Sequence, residues 1–153
     1  MRNVPEAFEA IVRDQSVNNV SFNVLPGRNV EESLFIHEYR IARNYIEASF
    51  DREYSTGMIN SPSHLVFLSV LIHWQKLVYV YFCHDQNVDY TSDGREKFKV
   101  WPTKIQISLP DLVTDERSLL QQCWLDGIQK LPNGNWHLRG ETRVNSIVMK
   151  GDT

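Results

Sequence analysis

The stretch SPSHLVFLSVLIHWQKLVYVYF, Ser61–Phe82, decides how the rest of the chain must be arranged. Ser61 suits a helix cap, Pro62 suits the first helical turn, and no glycine or further proline interrupts the run. Leu65, Val66, Phe67, Leu68, Val70, Leu71, Ile72, Trp74, Leu77, Val78, Val80 and Tyr81 leave little of the helical circumference polar. A helix apolar on nearly every side is expected to be buried on nearly every side. At ~1.5 Å per residue it spans roughly 30 Å, about the diameter of a small domain. A membrane span needs about 20 apolar residues, so the length alone does not separate the two readings. Ser69, His73, Gln75 and Lys76 do, because they interrupt the run and a mid-segment lysine is costly in lipid. The stretch reads as the core helix of a soluble protein.

Composition agrees. The chain has 153 residues, 42% hydrophobic and 23% charged, which suits a single domain with a sizeable core. A net charge of −3 and a pI near 5.9 give no electrostatic grip on nucleic acid or an anionic membrane. The N-terminus lacks the basic-then-apolar pattern of a signal peptide, so a cytoplasmic location is expected. Cys83 and Cys123 form no C-x-x-C pair and read as reduced, buried thiols. The histidines show no H-x-x-x-H or H-E-x-x-H spacing, so no metal is expected.

Working outward from the helix, Pro5–Asp14 places Phe8, Ile11 and Val12 at helical spacing and predicts a short helix. Val17–Val24 alternates loosely and predicts a strand closed by Pro26-Gly27. Ser33–Phe50 carries two interleaved sets: Phe35, His37, Tyr39, Ile41 and Tyr45, and Leu34, Ile36, Ala42, Ile46 and Ala48. Such alternation predicts one long strand or a bent pair. Asp51–Asn60 reads as a polar connection into the helix, and Cys83–Lys97 as a polar loop after it. Phe98–Leu109 predicts a strand that Pro102 pushes to an edge or bulge. Leu119–Lys130 and Trp136–Met149 flank Asn133-Gly134, which predicts a hairpin with a type I′ turn. Gly127 and Gly140 mark expected bulges.

One buried helix and a run of antiparallel strands are reconciled if the sheet curls around the helix. That is the hot-dog fold, an α+β architecture whose open side is closed by a second subunit, so a homodimer is expected. The rival is a flat α+β sandwich with a polar stripe on the helix.

Thr56-Gly57-Met58-Ile59-Asn60 leads directly into the helix. This resembles the T-G-x-x-N entry of the FcoT-like long-chain fatty acyl-CoA thioesterases. The likeness continues through Trp74–Tyr79 and Pro102–Ile105 and covers roughly residues 47–148. Arg52 stands where the family pattern has a tyrosine, and Tyr54 lies two residues on. A second, looser likeness joins Asn60-Ser61-Pro62-Ser63-His64 to the helix entry of hot-dog acyl-carrier-protein dehydratases, with His73 near the place of their acidic residue. The resemblance implies an enzyme acting on acyl-CoA or an acyl carrier protein, the substrate itself carrying the CoA or phosphopantetheine group and no separate cofactor being needed.

The first turn of a helix offers unpaired N–H groups and a positive dipole end, where a thioester oxyanion is stabilised. There Asn60 can orient the carbonyl or a water, and His64 can act as general base near neutral pH. Gly57, Ser61 and Ser63 complete the entry, Tyr54 is a further catalytic candidate, and Leu65, Leu68 and Ile72 would line an acyl tunnel. Arg52 and Lys104 could meet phosphates, although both read by default as surface charges. Capping alone accounts for Asn60 and Ser61, and a satisfied core histidine accounts for His73. Hydrolysis of an acyl thioester leads; 3-hydroxyacyl dehydration and non-catalytic lipid binding are the alternatives.

Overall fold

The computed structural model describes residues 2–13, 30–56, 65, 67–88 and 98–153. Among these, seven strands form one antiparallel sheet and a single α-helix packs on it, an α+β architecture. The strands are β1 (Ala10–Arg13), β2 (Val30–Ala42), β3 (Tyr45–Thr56), β4 (Lys104–Ser108), β5 (Leu119–Lys130), β6 (Trp136–Val144) and β7 (Ile147–Asp152), in the spatial order β1-β2-β3-β5-β6-β7-β4. The helix α1 (Phe67–Asp85) follows β3, and the chain then crosses to the far edge at β4.

The interleaved alternation of Ser33–Phe50 has a concrete origin. β2 and β3 form a hairpin whose turn is Arg43-Asn44, with Asn44 left-handed at φ 56°. A register shift between Ile36 and Glu38 places a bulge at His37. Leu34 and Ile36 are buried before it and Tyr39 and Ile41 after it, so the bulge exchanges which set faces inward. Each of the two sets supplies half of the inner face. Asp51–Thr56, expected as connection, continues β3, and its partner there is β2; the β3–β5 ladder ends at Phe50↔Leu119. The hairpin therefore outruns the sheet by half its length.

The predicted helix at Pro5–Asp14 is replaced by β1, which pairs Ala10–Arg13 with Ile41–Glu38. Glu9 N–H donates to the Ile41 carbonyl at 2.7 Å, and Phe8 packs on the outer face against Tyr45, ring centroids 6.3 Å apart. Pairing with a preformed strand wins over local helical spacing. The strand expected at Val17–Val24 lies outside the described residues.

At the other end, the β5–β6 hairpin has the expected limits, and Gly127 and Gly140 flank its bulge. Its turn is not type I′, since only Gly134 has positive φ. Gly134 N–H donates to Leu131 O at 3.0 Å and Leu131 N–H to Asn135 O at 2.7 Å, a turn with Pro132 and Asn133 at its centre. The strand expected over Trp136–Met149 is two strands, folded back at left-handed Asn145. Phe98–Leu109 contributes only β4, an edge strand as Pro102 implied.

α1 runs to Asp85, three residues past the expected end, and Asn87 at φ 55° closes it, with Val88 N–H donating to Cys83 O. Its burial is less complete than its composition suggests. Val70, His73, Trp74, Leu77, Val80 and Tyr81 are buried against the sheet, but Phe67 and Ile72 remain 39% and 41% exposed. No described helix is long and apolar enough to cross a membrane.

Candidate functional site

Five of the expected site residues, Gly57, Asn60, Ser61, Ser63 and His64, lie outside the described residues. Their flanks are described. β3 ends at Thr56, and Leu65 is buried in the core just ahead of α1.

Arg52 joins those flanks. It follows Ile46, Ala48 and Phe50 on the inward phase of β3 and is fully buried. Its Nε donates to Asp115 O at 2.7 Å, and Nη2 reaches Thr114 O at 3.3 Å and Val113 O at 3.4 Å. Nη1 lies 3.9 Å from the Glu32 carboxylate, itself fully buried. The Arg52 main-chain N–H also donates to Glu116 O at 2.8 Å. Val113 O in turn accepts the Leu65 N–H at 2.7 Å. One guanidinium therefore ties the overhanging hairpin, the 113–116 segment and the approach to α1 together. Arg52 is neither a surface charge nor free to meet a phosphate, because its fork is committed to main-chain carbonyls.

The other candidates divide. Tyr54 lies on β3 rather than in a loop, with the Arg52 guanidinium carbon 6.0 Å from its ring. Lys104 begins β4, so three strands separate it from β3. Leu65 is in the core, Leu68 is half-buried and Ile72 is largely exposed; these three do not share one lumen. An apolar slot lies instead one turn further along the helix. Leu71, Trp74 and Val78 of α1 face Val100, Pro102 and Ile105 there, across about 360 Å³ of space. The space open to a water is only about 20 Å³, so the slot is narrow and its walls nearly touch. Leu68 stands three residues before Leu71, which puts it on the same helix face, back toward the entry.

His73 is a core histidine. Its Nδ1 lies 2.8 Å from Gln121 Oε1, and the rings of Tyr39 and Phe50 pack beside it, centroids 6.3 and 5.6 Å away. Gln121 Nε2 donates to Val70 O at 3.1 Å and to Thr142 Oγ1 at 2.9 Å, while the Thr142 hydroxyl donates to Gln122 O at 2.8 Å. With both amide hydrogens so engaged, the Gln121 oxygen faces His73, and Nδ1 must then carry a proton. Sequence reading passed over Gln121 and Thr142. A polar residue in phase with inward Leu119, Cys123 and Leu125 was the available signal.

Cys83 and Cys123 are both buried and unpaired with each other. Burial pushes the Cys123 thiol up to about 12, so almost none is thiolate at neutral pH. In native buffer neither thiol is expected to react with an aromatic disulfide reagent over an hour, and both should react in denaturant. Fast native labelling would contradict the burial of these sites.

No family model, no curated protein and no solved structure matches this chain.

Proposed function

We propose that this chain is a cytoplasmic hot-dog-fold enzyme that hydrolyses acyl thioesters of coenzyme A or of a carrier protein. The observation that carries the reading is the apolar slot between the long helix and the sheet, on the helix face that leads back through Leu68 to the entry. Among the described residues, one long helix against an antiparallel sheet supports the fold assignment. The exposed apolar side chains Phe67 and Ile72 support a homodimer that would cover them.

In this reading water attacks the thioester carbonyl held at the helix entry. Asn60 orients the carbonyl, and main-chain N–H groups of the first turn receive the oxyanion. His64 takes a proton from the water as the acyl C–O bond forms. It returns that proton to the sulfur as the C–S bond breaks, releasing a fatty acid and a free thiol. The acyl chain lies along the slot, whose walls part to admit it.

Free thiol released from short, medium and long acyl-CoAs is the direct test. Turnover with a chain-length optimum is expected, reduced about a hundredfold or more in His64→Ala. Enoyl product from a 3-hydroxyacyl thioester, without thiol release, would replace hydrolysis by dehydration. Thermal stabilisation by acyl ligands without either product would identify a binding module.

A further inference from the structure

Strands β6, β7 and β4 turn a row of charged side chains away from the helix. Their inward partners, Leu138, Thr142, Ile147 and Met149, are buried, and strict alternation places Arg139, Glu141 and Arg143 of β6 on the opposite face. Cross-strand register adds Lys150 beside Glu141 and Gln106, and Lys104 beside Asp152. Two concavities of about 340 and 350 Å³ run along this face and share Gln106 and Lys150.

The carboxylates of this groove are already engaged. Asp126 takes both guanidinium nitrogens of Arg2. Glu141, buried, has Arg143 at 2.5 Å, Lys150 at 3.6 Å and Arg2 at 3.8 Å. Asp152 has Arg139 at 3.5 Å and the His137 ring at 3.7 Å. Five cations, Arg2, Lys104, Arg139, Arg143 and Lys150, thus face three carboxylates, and the groove stays positive on a chain whose net charge is −3. Lys104 is exposed and has no carboxylate within ion-pair distance among the described residues.

The groove lies behind the apolar slot, across β6 and β7. Arg139, Gly140, Gly151 and Asp152 line both. Neither glycine has room for a side chain: a Cβ on Gly140 would sit 2.5 Å from the Trp124 carbonyl oxygen, and one on Gly151 would run into that of Lys104. A strand face that carries more cations than carboxylates matches a multiply anionic group.

We propose that the groove binds the phosphate-bearing end of the thioester carrier. This rests on the thioester reading above and names the surface that reading lacks once Arg52 is removed from it. The exposed Lys104 and Lys150 ammonium groups act as point charges for phosphate, and the Arg139 and Arg143 forks offer directed donors. The same phosphate chemistry belongs to the 4′-phosphopantetheine arm and to the nucleotide of coenzyme A.

Calorimetric titration of the full chain with coenzyme A, and separately with 4′-phosphopantetheine, tests the proposal. Lys104→Glu/Lys150→Glu is expected to weaken coenzyme A binding about tenfold or more, as the loss of a charged hydrogen bond predicts. Lys99→Glu, an exposed position outside the groove with the same charge change, should shift affinity less than about twofold. Equal affinity for both ligands assigns the bound phosphate to the pantetheine arm; binding of coenzyme A alone assigns it to the nucleotide. Undiminished coenzyme A affinity in the double variant overturns the proposal, as does failure of both ligands to bind. If the double variant does not fold, Lys104→Gln carries the same test. Hydrolysis with unaltered carrier affinity would remove the groove and leave the thioesterase reading standing; groove-dependent binding without turnover would do the reverse.

Discussion

Arg52→Ala is expected to destabilise the protein by about 3–5 kcal/mol, the usual cost of removing one partner from a buried ion pair. The size follows from what is left behind. Glu32 stays in the interior without the nearby guanidinium, and the carbonyls of Val113, Thr114 and Asp115 lose its donors. Those carbonyls belong to a segment without regular structure, which has few other ways to satisfy them. Arg52→Met/Glu32→Leu should cost less than the single alanine change, since it removes both charges and keeps side-chain volume. Urea unfolding of the three proteins measures the difference. A loss below about 1 kcal/mol for Arg52→Ala would show that water replaces the guanidinium and that the clamp is dispensable.

The second large effect is expected at Gln121. Gln121→Leu keeps the volume but deprives Val70 O and Thr142 Oγ1 of a donor and His73 Nδ1 of its acceptor. Stranded polar groups in a core cost about 1–3 kcal/mol each, and partial relaxation brings the expected total to about 2–4 kcal/mol. The network makes a spectroscopic prediction as well. Nitrogen chemical shifts of neutral His73 should report the Nδ1–H tautomer in the native protein and lose that preference in Gln121→Leu. An Nε2–H tautomer in the unmodified chain would mean that the Gln121 amide is turned the other way.

The largest stretches were legible where local pattern and tertiary setting agree. Leu119–Lys130 runs up to the turn that holds Asn133-Gly134 and is a strand with those limits. The body of α1 has no competing pattern and no breaker. Pro5–Asp14 shows the opposite case: Phe8, Ile11 and Val12 fit a helix, but Ala10–Arg13 finds the free edge of β2 and gains ladder hydrogen bonds that a short helix would have to supply alone. The bulge at His37 was hidden because it makes both alternating sets correct, each for one half of β2. Asn145-Ser146 was missed because polar residues inside an alternating run look like its outward phase.

Of the site, the apolar character of the helix could be read directly, but neither the face that lines the slot, Leu71, Trp74 and Val78 rather than Leu65, Leu68 and Ile72, nor the fate of the charges could. Arg52 and Glu32 sit among charged neighbours on sequence positions that resemble solvated strand edges. Only the pairing of Glu32 with Tyr54 and the return of 113–116 across the strand put them inside. Lys104, by contrast, joins Arg139, Arg143 and Lys150 through the register of three strands, a proximity that no spacing in the chain encodes.

The overhang of the β2–β3 hairpin gives the protein a lever. Two strands alone are marginally stable, and here the open end of the hairpin is held by a strut rather than by a neighbouring strand. That strut anchors both ends of residues 57–64, since β3 stops at Thr56 and Leu65 is bonded to Val113. Thr56 and Leu65 thus take their reference frame from one guanidinium. A substitution at Glu32 or in 113–116 would then displace Thr56 and Leu65 together, although neither residue is changed. In this chain the spacing of those two flanks is set by one scaffolding pole.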